Sequence, residues 1–134
     1  MKNIDIYLDG PSHADIKKYK SPLVKGYTYN PSLMSQLNVK NYSQACRQFS
    51  KKVEPKCISL EVFADDEAGM IRQAIIISNI NKNIYVKIPI TYTNGKYTTE
   101  VLKELVSRNI KLNITAIFNI KQIIEILPIV KNSK

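Results

Sequence analysis

Ile84-Tyr85-Val86-Lys87-Ile88-Pro89 is the stretch that decides the architecture, because it reads as a buried β-strand interrupted by one amine. β-branched and aromatic residues dominate it, and the proline closes it, as expected for a strand inside a sheet. Lys87 is the exception. Removing an amine from water disfavours its protonated form and leaves the nitrogen lone pair available for attack on a carbonyl. A strand lysine in such a setting is a candidate Schiff-base nucleophile. The competing explanation is an edge-strand lysine that reaches solvent, so the rest of the chain has to decide.

Outward from Lys87, short apolar runs alternate with helical patterns, the signature of a parallel α/β sheet. Upstream strands are expected at Ile4–Asp9, Leu23–Thr28 and Cys57–Val62, and a downstream one at Lys111–Ala116. Between them, helices are predicted from Ser12, from Ser32, and along Tyr42, Ala45, Cys46, Phe49 and Val53. Asp65-Asp66 opens a further helix with Met70, Ile71, Ala74 and Ile75 on its apolar side. Asn94-Gly95 marks a turn, and Thr98 caps a helix bearing Val101, Leu102, Leu105 and Val106. A last helix, Lys121–Leu127, is expected to end at Pro128. Five βα units of about 25 residues each match the repeat of a (β/α)8 barrel of the TIM type. The 134 residues hold one domain, 1–134, and only about the first five units of such a barrel.

Composition narrows the chemistry. The formal charge of +9 comes almost wholly from lysines scattered over predicted helix faces, with Arg47, Arg72 and Arg108 the three arginines. Dedicated nucleic-acid binders favour clustered arginine and interleaved aromatics, so nucleic acid is not the expected partner, although a small basic nucleic-acid-binding protein remains a rival reading. The field would help gather an anionic substrate such as a sugar phosphate. No run of eighteen apolar residues exists, so no membrane span is expected. Met1-Lys2-Asn3-Ile4-Asp5 places an acid where a leader would build its apolar region. With Cys46 and Cys57 far apart and outside any CxxC, a reduced, cytoplasmic protein is expected. His13 is the only histidine, which argues against Ser-His-Asp or Cys-His relays and against a zinc site. It is expected at the surface, and no metal or cofactor is anticipated.

In parallel α/β proteins chemistry collects at the carboxyl ends of the strands. Asp9, Asn30, Glu61, Lys87, and Asn113 with Thr115 all fall at or near such ends. Asp9-Gly10-Pro11 and Asn30-Pro31 each have a turn explanation when taken alone. Glu61 lies within Ser59-Leu60-Glu61-Val62 instead of in a turn, and Asn113 and Thr115 alternate with Leu112 and Ile114, so their side chains share one face.

Tyr7-Leu8-Asp9, Gly26-Tyr27-Thr28-Tyr29-Asn30-Pro31-Ser32-Leu33, Ser59-Leu60-Glu61-Val62, Val86-Lys87-Ile88-Pro89 and Asn113-Ile114-Thr115-Ala116-Ile117-Phe118 occur in this order. In these motifs the chain resembles the transaldolase family, including its small fructose-6-phosphate aldolase-like members, over nearly its whole length. The resemblance implies that Lys87 forms the Schiff base with a ketose phosphate, and that Asp9 moves the proton of the C4 hydroxyl. It further implies that Glu61 acts through a water held by Thr115, and that Asn30, Asn113 and Thr28 bind substrate. Glutamate at position 61, where the aldolases typically carry glutamine, favours transaldol transfer. The iminium makes a metal unnecessary.

Two departures stand out. Tyr29 replaces a threonine, a bulky change beside Asn30 that bears either on the width of the pocket or on donor preference, and Gly10 stands where the family often has threonine. The family barrel is also longer: the arginine that holds the substrate phosphate, its neighbouring serine and aromatic, and three strands are not in these 134 residues. Weak sugar-phosphate binding, open barrel edges and a homo-oligomer formed through them are the corresponding expectations. A catalytically silent barrel acting as an assembly module is the rival that follows.

Overall fold

In the computed structural model, five parallel strands run β1 (Ile6–Asp9), β2 (Val24–Tyr29), β3 (Cys57–Glu61), β4 (Ile84–Pro89) and β5 (Leu112–Thr115). They lie in sequence order within one sheet. The helices are α1 (His13–Lys18), α2 (Pro31–Gln36), α3 (Tyr42–Val53), α4 (Glu67–Ser78), α5 (Thr99–Ser107) and α6 (Ile120–Val130). The structure describes residues 4–131; Met1–Asn3, read above for a leader, and the last three residues lie outside it. Neighbouring order with a helix in each connection is what right-handed βαβ crossovers produce. The result is a curled half-barrel, the partial (β/α) barrel expected.

Side-chain alternation sorts the strands into two faces. One carries Tyr27, Tyr29, Ile58, Leu60, Ile84, Val86 and Ile88, all buried under the helices. The register places Asp9, Thr28, Ser59 and Tyr85 side by side on the opposite, concave face, and Glu61, Lys87 and Asn113 in the row above. Asn113 Nδ2 donates to Ser59 Oγ at 3.0 Å. The two residues sit on strands separated by β4, which in a flat sheet would lie about 10 Å apart. Their contact therefore reports the curl that turns the polar face inward. Gly26 permits the same approach lower down, since a Cβ there would meet Cys57 Sγ at 2.5 Å and the Tyr7 ring at 2.8 Å.

Several boundaries differ from the sequence expectation. β1 begins at Ile6, because Ile4 and Asp5 are exposed and make no ladder. α2 begins at Pro31, with Asn30 as its N-cap accepting from Leu33 N at 2.8 Å; proline at the first helical position wastes no donor. Only Asp66 caps α4, whereas Asp65 reaches across to the backbone N–H and hydroxyl of Thr93. Thr98 occupies the N-cap position of α5 without capping it; its hydroxyl is turned to the Pro89 carbonyl at 2.7 Å. α6 continues through Pro128 to Val130 and does not stop there.

The side chain of Tyr29 does not lie on the concave face. Alternation sends it to the outer face, where it is fully buried, tilts against the Phe49 ring at 4.6 Å and donates to the Pro11 carbonyl at 2.6 Å. Gly10, the other departure, has φ +60 and donates its N–H to the Thr28 carbonyl at 2.8 Å. That left-handed turn directly after Asp9 suits glycine. His13 also stacks on Phe49, with ring centroids 4.3 Å apart and planes within 2°.

Two stability predictions follow from this packing. Tyr29→Phe leaves the Pro11 carbonyl without its donor and should destabilise the fold by about 1–3 kcal/mol in urea unfolding. His13 is held below its ordinary value of 6.5, first by burial and then by Lys52. A lowered histidine favours the neutral folded form, so the unfolded chain binds the extra proton and stability declines as pH falls through the histidine range. Between about pH 8 and pH 5 the thermal midpoint should fall, and less steeply in His13→Gln.

Candidate active site

The site is assembled on the concave face from residues at or near the carboxyl ends of the five strands. β3 ends on Glu61 and β4 passes beside it, with Glu61 and Lys87 as register partners. Their side chains meet as an ion pair, Lys87 Nζ to Glu61 Oε2 at 3.3 Å, with side chains 10% and 16% exposed. Lys87 is buried not among apolar neighbours, as its strand suggested, but against a carboxylate. The pairing explains how a strand lysine tolerates that environment, since a buried charge needs a partner. It also sets Glu61 where it can take a proton from the amine.

Glu61 is fixed from behind. Tyr42 on α3 donates its hydroxyl to the Glu61 backbone carbonyl at 2.5 Å, with its ring edge-on to Phe63. Burial pushes the Tyr42 hydroxyl well above its ordinary value, so it remains a donor at any working pH. The same burial pushes the neighbouring Cys46 thiol up to about 12, which makes it an inert core residue and no nucleophile. Neither Tyr42 nor Ser59 was singled out as a site residue from the sequence. Ser59 could have been, since it shares the strand face of Glu61; Tyr42 read as one more apolar-face helix residue.

The remaining candidates divide into two groups. Asn113 is the register partner of Lys87 on the side opposite Glu61, and its amide nitrogen is spent on Ser59, which orients the carbonyl oxygen. Thr115 follows two residues later on the same face, paired with Pro89, and its hydroxyl has no hydrogen bond among the described residues. Asp9 lies one row lower, exposed, and accepts a hydrogen bond from the Thr28 hydroxyl. Thr28 thus serves the carboxylate first. Asn30 sits just beyond the end of β2, and its side-chain oxygen is committed to capping α2, which leaves its amide nitrogen as the group able to meet a ligand.

A buried amine, two carboxylates and amide groups on one concave strand-end surface form a constellation suited to carbonyl chemistry. The model of the transaldolase/fructose-6-phosphate aldolase family matches residues 6–131. The chain belongs to this family. Among curated relatives, the probable transaldolase of Exiguobacterium sibiricum is 35% identical over 117 residues, covering 87% of this chain and 52% of its own length. That of Pelotomaculum thermopropionicum is 34% identical over 118 residues, with coverage of 87% and 52%. The probable transaldolase of Dehalococcoides mccartyi is 30% identical over 118 residues, with coverage of 87% and 53%. The chain spans about half the length of these relatives. No helix among the described residues is long and apolar enough to cross a membrane.

The ion pair makes a measurable prediction. Glu61→Gln and Lys87→Met each strand one partially buried charge and should destabilise the chain by about 1–3 kcal/mol. The double variant should be less destabilised than the two together, with a coupling of about 1 kcal/mol in a denaturation cycle. Additive effects would mean that the two side chains do not interact in solution.

Proposed function

We propose that this site carries out Schiff-base aldol cleavage and transfer of a dihydroxyacetone unit, with Lys87 as nucleophile and a ketose phosphate as donor. The observation that carries this reading is the Lys87–Glu61 pair at 3.3 Å, set between Ser59-anchored Asn113 and the strand-end carboxylate Asp9. Glu61 takes a proton from the Lys87 ammonium, and the freed amine adds to the C2 carbonyl to form a carbinolamine. Water, its oxygen that of the former carbonyl, leaves as the iminium forms. Glu61 and the Thr115 hydroxyl flank the place where that water departs.

The iminium is the electron sink. As the C3–C4 bond breaks, its electron pair moves into an enamine and the Asp9 carboxylate takes the proton of the C4 hydroxyl. The aldehyde half leaves. When an acceptor aldehyde enters, the enamine carbon attacks it and Asp9 returns the proton to the new hydroxyl oxygen. Hydrolysis of the iminium then regenerates Lys87. Asn113 and Asn30 offer amide groups to the hydroxyls of the bound three-carbon unit. Glu61 as a carboxylate favours transfer over release of dihydroxyacetone, in keeping with relatives that are probable transaldolases.

Arg47 lies on α3, Arg72 on α4 and Arg108 follows α5, so none of them comes from a strand end. No guanidinium is therefore available on the concave face to grip a phosphate bidentately, and phosphorylated and unphosphorylated donors should be trapped with little discrimination. Borohydride reduction in the presence of dihydroxyacetone or fructose 6-phosphate, read by peptide mass spectrometry, tests the proposal. The expected result is a reduced adduct on the peptide containing Lys87, absent in Lys87→Met and slowed at least about tenfold in Glu61→Gln. A chain that is folded by circular dichroism yet gives no adduct would sink the proposal.

A further inference from the structure

Lysines that are spread along the sequence are gathered by the fold at one end of the sheet. In a parallel α/β arrangement each helix runs back against the strands, so helix ends meet strand beginnings. Lys17 and Lys18 lie in the last turn of α1, and Lys51 and Lys52 in the last turn of α3. Lys20 follows α1 and Lys25 is the second residue of β2; all six residues are exposed. The acids nearest to them in the chain are Asp5, Asp15 and Glu54. Asp15 is held by Ser12 in a capping box, and Glu54 accepts from Asn81 at 2.5 Å. The helix dipole accounts for a lysine in a last turn. It does not account for Lys20 and Lys25, nor for the apolar residues among them.

The α1–β2 loop presents two of these to water, Tyr19 at 49% and Leu23 at 60% exposure. The loop is built to hold them out. Lys56 Nζ donates to the Ser21 carbonyl at 2.6 Å, and Leu23 N donates to Ser21 Oγ at 3.2 Å. Pro22 restricts the backbone between them. Lys18 Nζ lies 5.1 Å from the centroid of the Tyr19 ring, so charge and apolar surface are interleaved.

We infer that this end of the molecule is a docking surface for a lipid bilayer with anionic headgroups. Leu23 and Tyr19 enter the interface and the surrounding lysines meet the headgroups. The contact is peripheral and does not depend on the chemistry of Lys87, whose site opens at the opposite end of the strands. Three features select a lipid surface over another polyanion. The cations around the loop are all lysines, point charges suited to a fluid headgroup layer, with no arginine among them to fork a phosphate. Leu23 has no ring to stack on a base, whereas an aliphatic side chain gains by leaving water for the acyl boundary. Tyr19 has the amphipathic ring that settles at headgroup level.

Co-sedimentation with phosphatidylcholine vesicles, with and without phosphatidylserine, tests the inference on the 134-residue chain. The chain should bind only the vesicles that contain phosphatidylserine, and should release them as salt rises. The double variant Lys17→Glu/Lys18→Glu should weaken binding at least about tenfold, and Leu23→Ser about tenfold. All three positions are exposed, so circular dichroism should show the fold intact. Lys96→Glu/Lys121→Glu makes the same charge change near the carboxyl ends of the strands and should alter binding by less than about twofold. Failure to bind the anionic vesicles overturns the inference, as does equal weakening by the two double variants, which would mean bulk charge alone. Binding untouched by Leu23→Ser also overturns it, and tighter binding to a duplex oligonucleotide would assign the face to nucleic acid instead.

Discussion

Lys87 and Glu61 face one another because a parallel ladder places residues of adjacent strands in fixed register and alternation puts both on the concave side. A lysine that is 8% exposed needs a counter-charge, and a carboxylate at a strand end needs a cation; each makes the other tolerable. The pair imposes requirements on its surroundings. The outer face must be wholly apolar to hold the helices, because the inner face is committed to polar groups. Tyr42 must tie down the carbonyl of Glu61 from behind. Curvature must be sufficient to bring β3 and β5 side chains together over β4, as the Ser59–Asn113 bond shows.

The departures at positions 10 and 29 become intelligible in that frame. Gly10 serves a left-handed turn whose N–H is bonded to the Thr28 carbonyl, so it shapes the chain directly after Asp9. Tyr29 belongs to the packing of the helix layer, where its hydroxyl reaches Pro11 and its ring meets Phe49. Both act on the support of the site while leaving its polar groups in place. A residue adjacent in sequence to a ligand-binding position lies on the opposite face of a strand, and its size then matters to the core instead of the pocket.

The same alternation explains why the open flank stands out. Over β2, β3 and β4 the large apolar residues of the outer face are buried beneath helices. At β5 and α6 the pattern runs on with nothing to cover it, leaving Phe118 and a stripe of isoleucines in water. Chains related to this one are about twice as long as the region they share with it, and residues 6–131 match the transaldolase/fructose-6-phosphate aldolase model.

Much of this was legible in the linear chain. Five βα units, the strand lysine and the polar strand ends could be read from period-two and helical patterns, since these express local geometry that each segment carries within itself. Residue pairings could not. That Lys87 meets Glu61, that Ser59 holds Asn113, and that Tyr42 braces Glu61 depend on register and curl, which bring together residues 19 to 54 positions apart. Caps behaved likewise: Thr98 looked like a cap, yet its hydroxyl bonds the Pro89 carbonyl, while Asn30 caps α2 through its side-chain oxygen and keeps its amide nitrogen for other partners. A short polar side chain next to a helix start can satisfy either role, and only the position of competing partners in space decides which hydrogen bond forms.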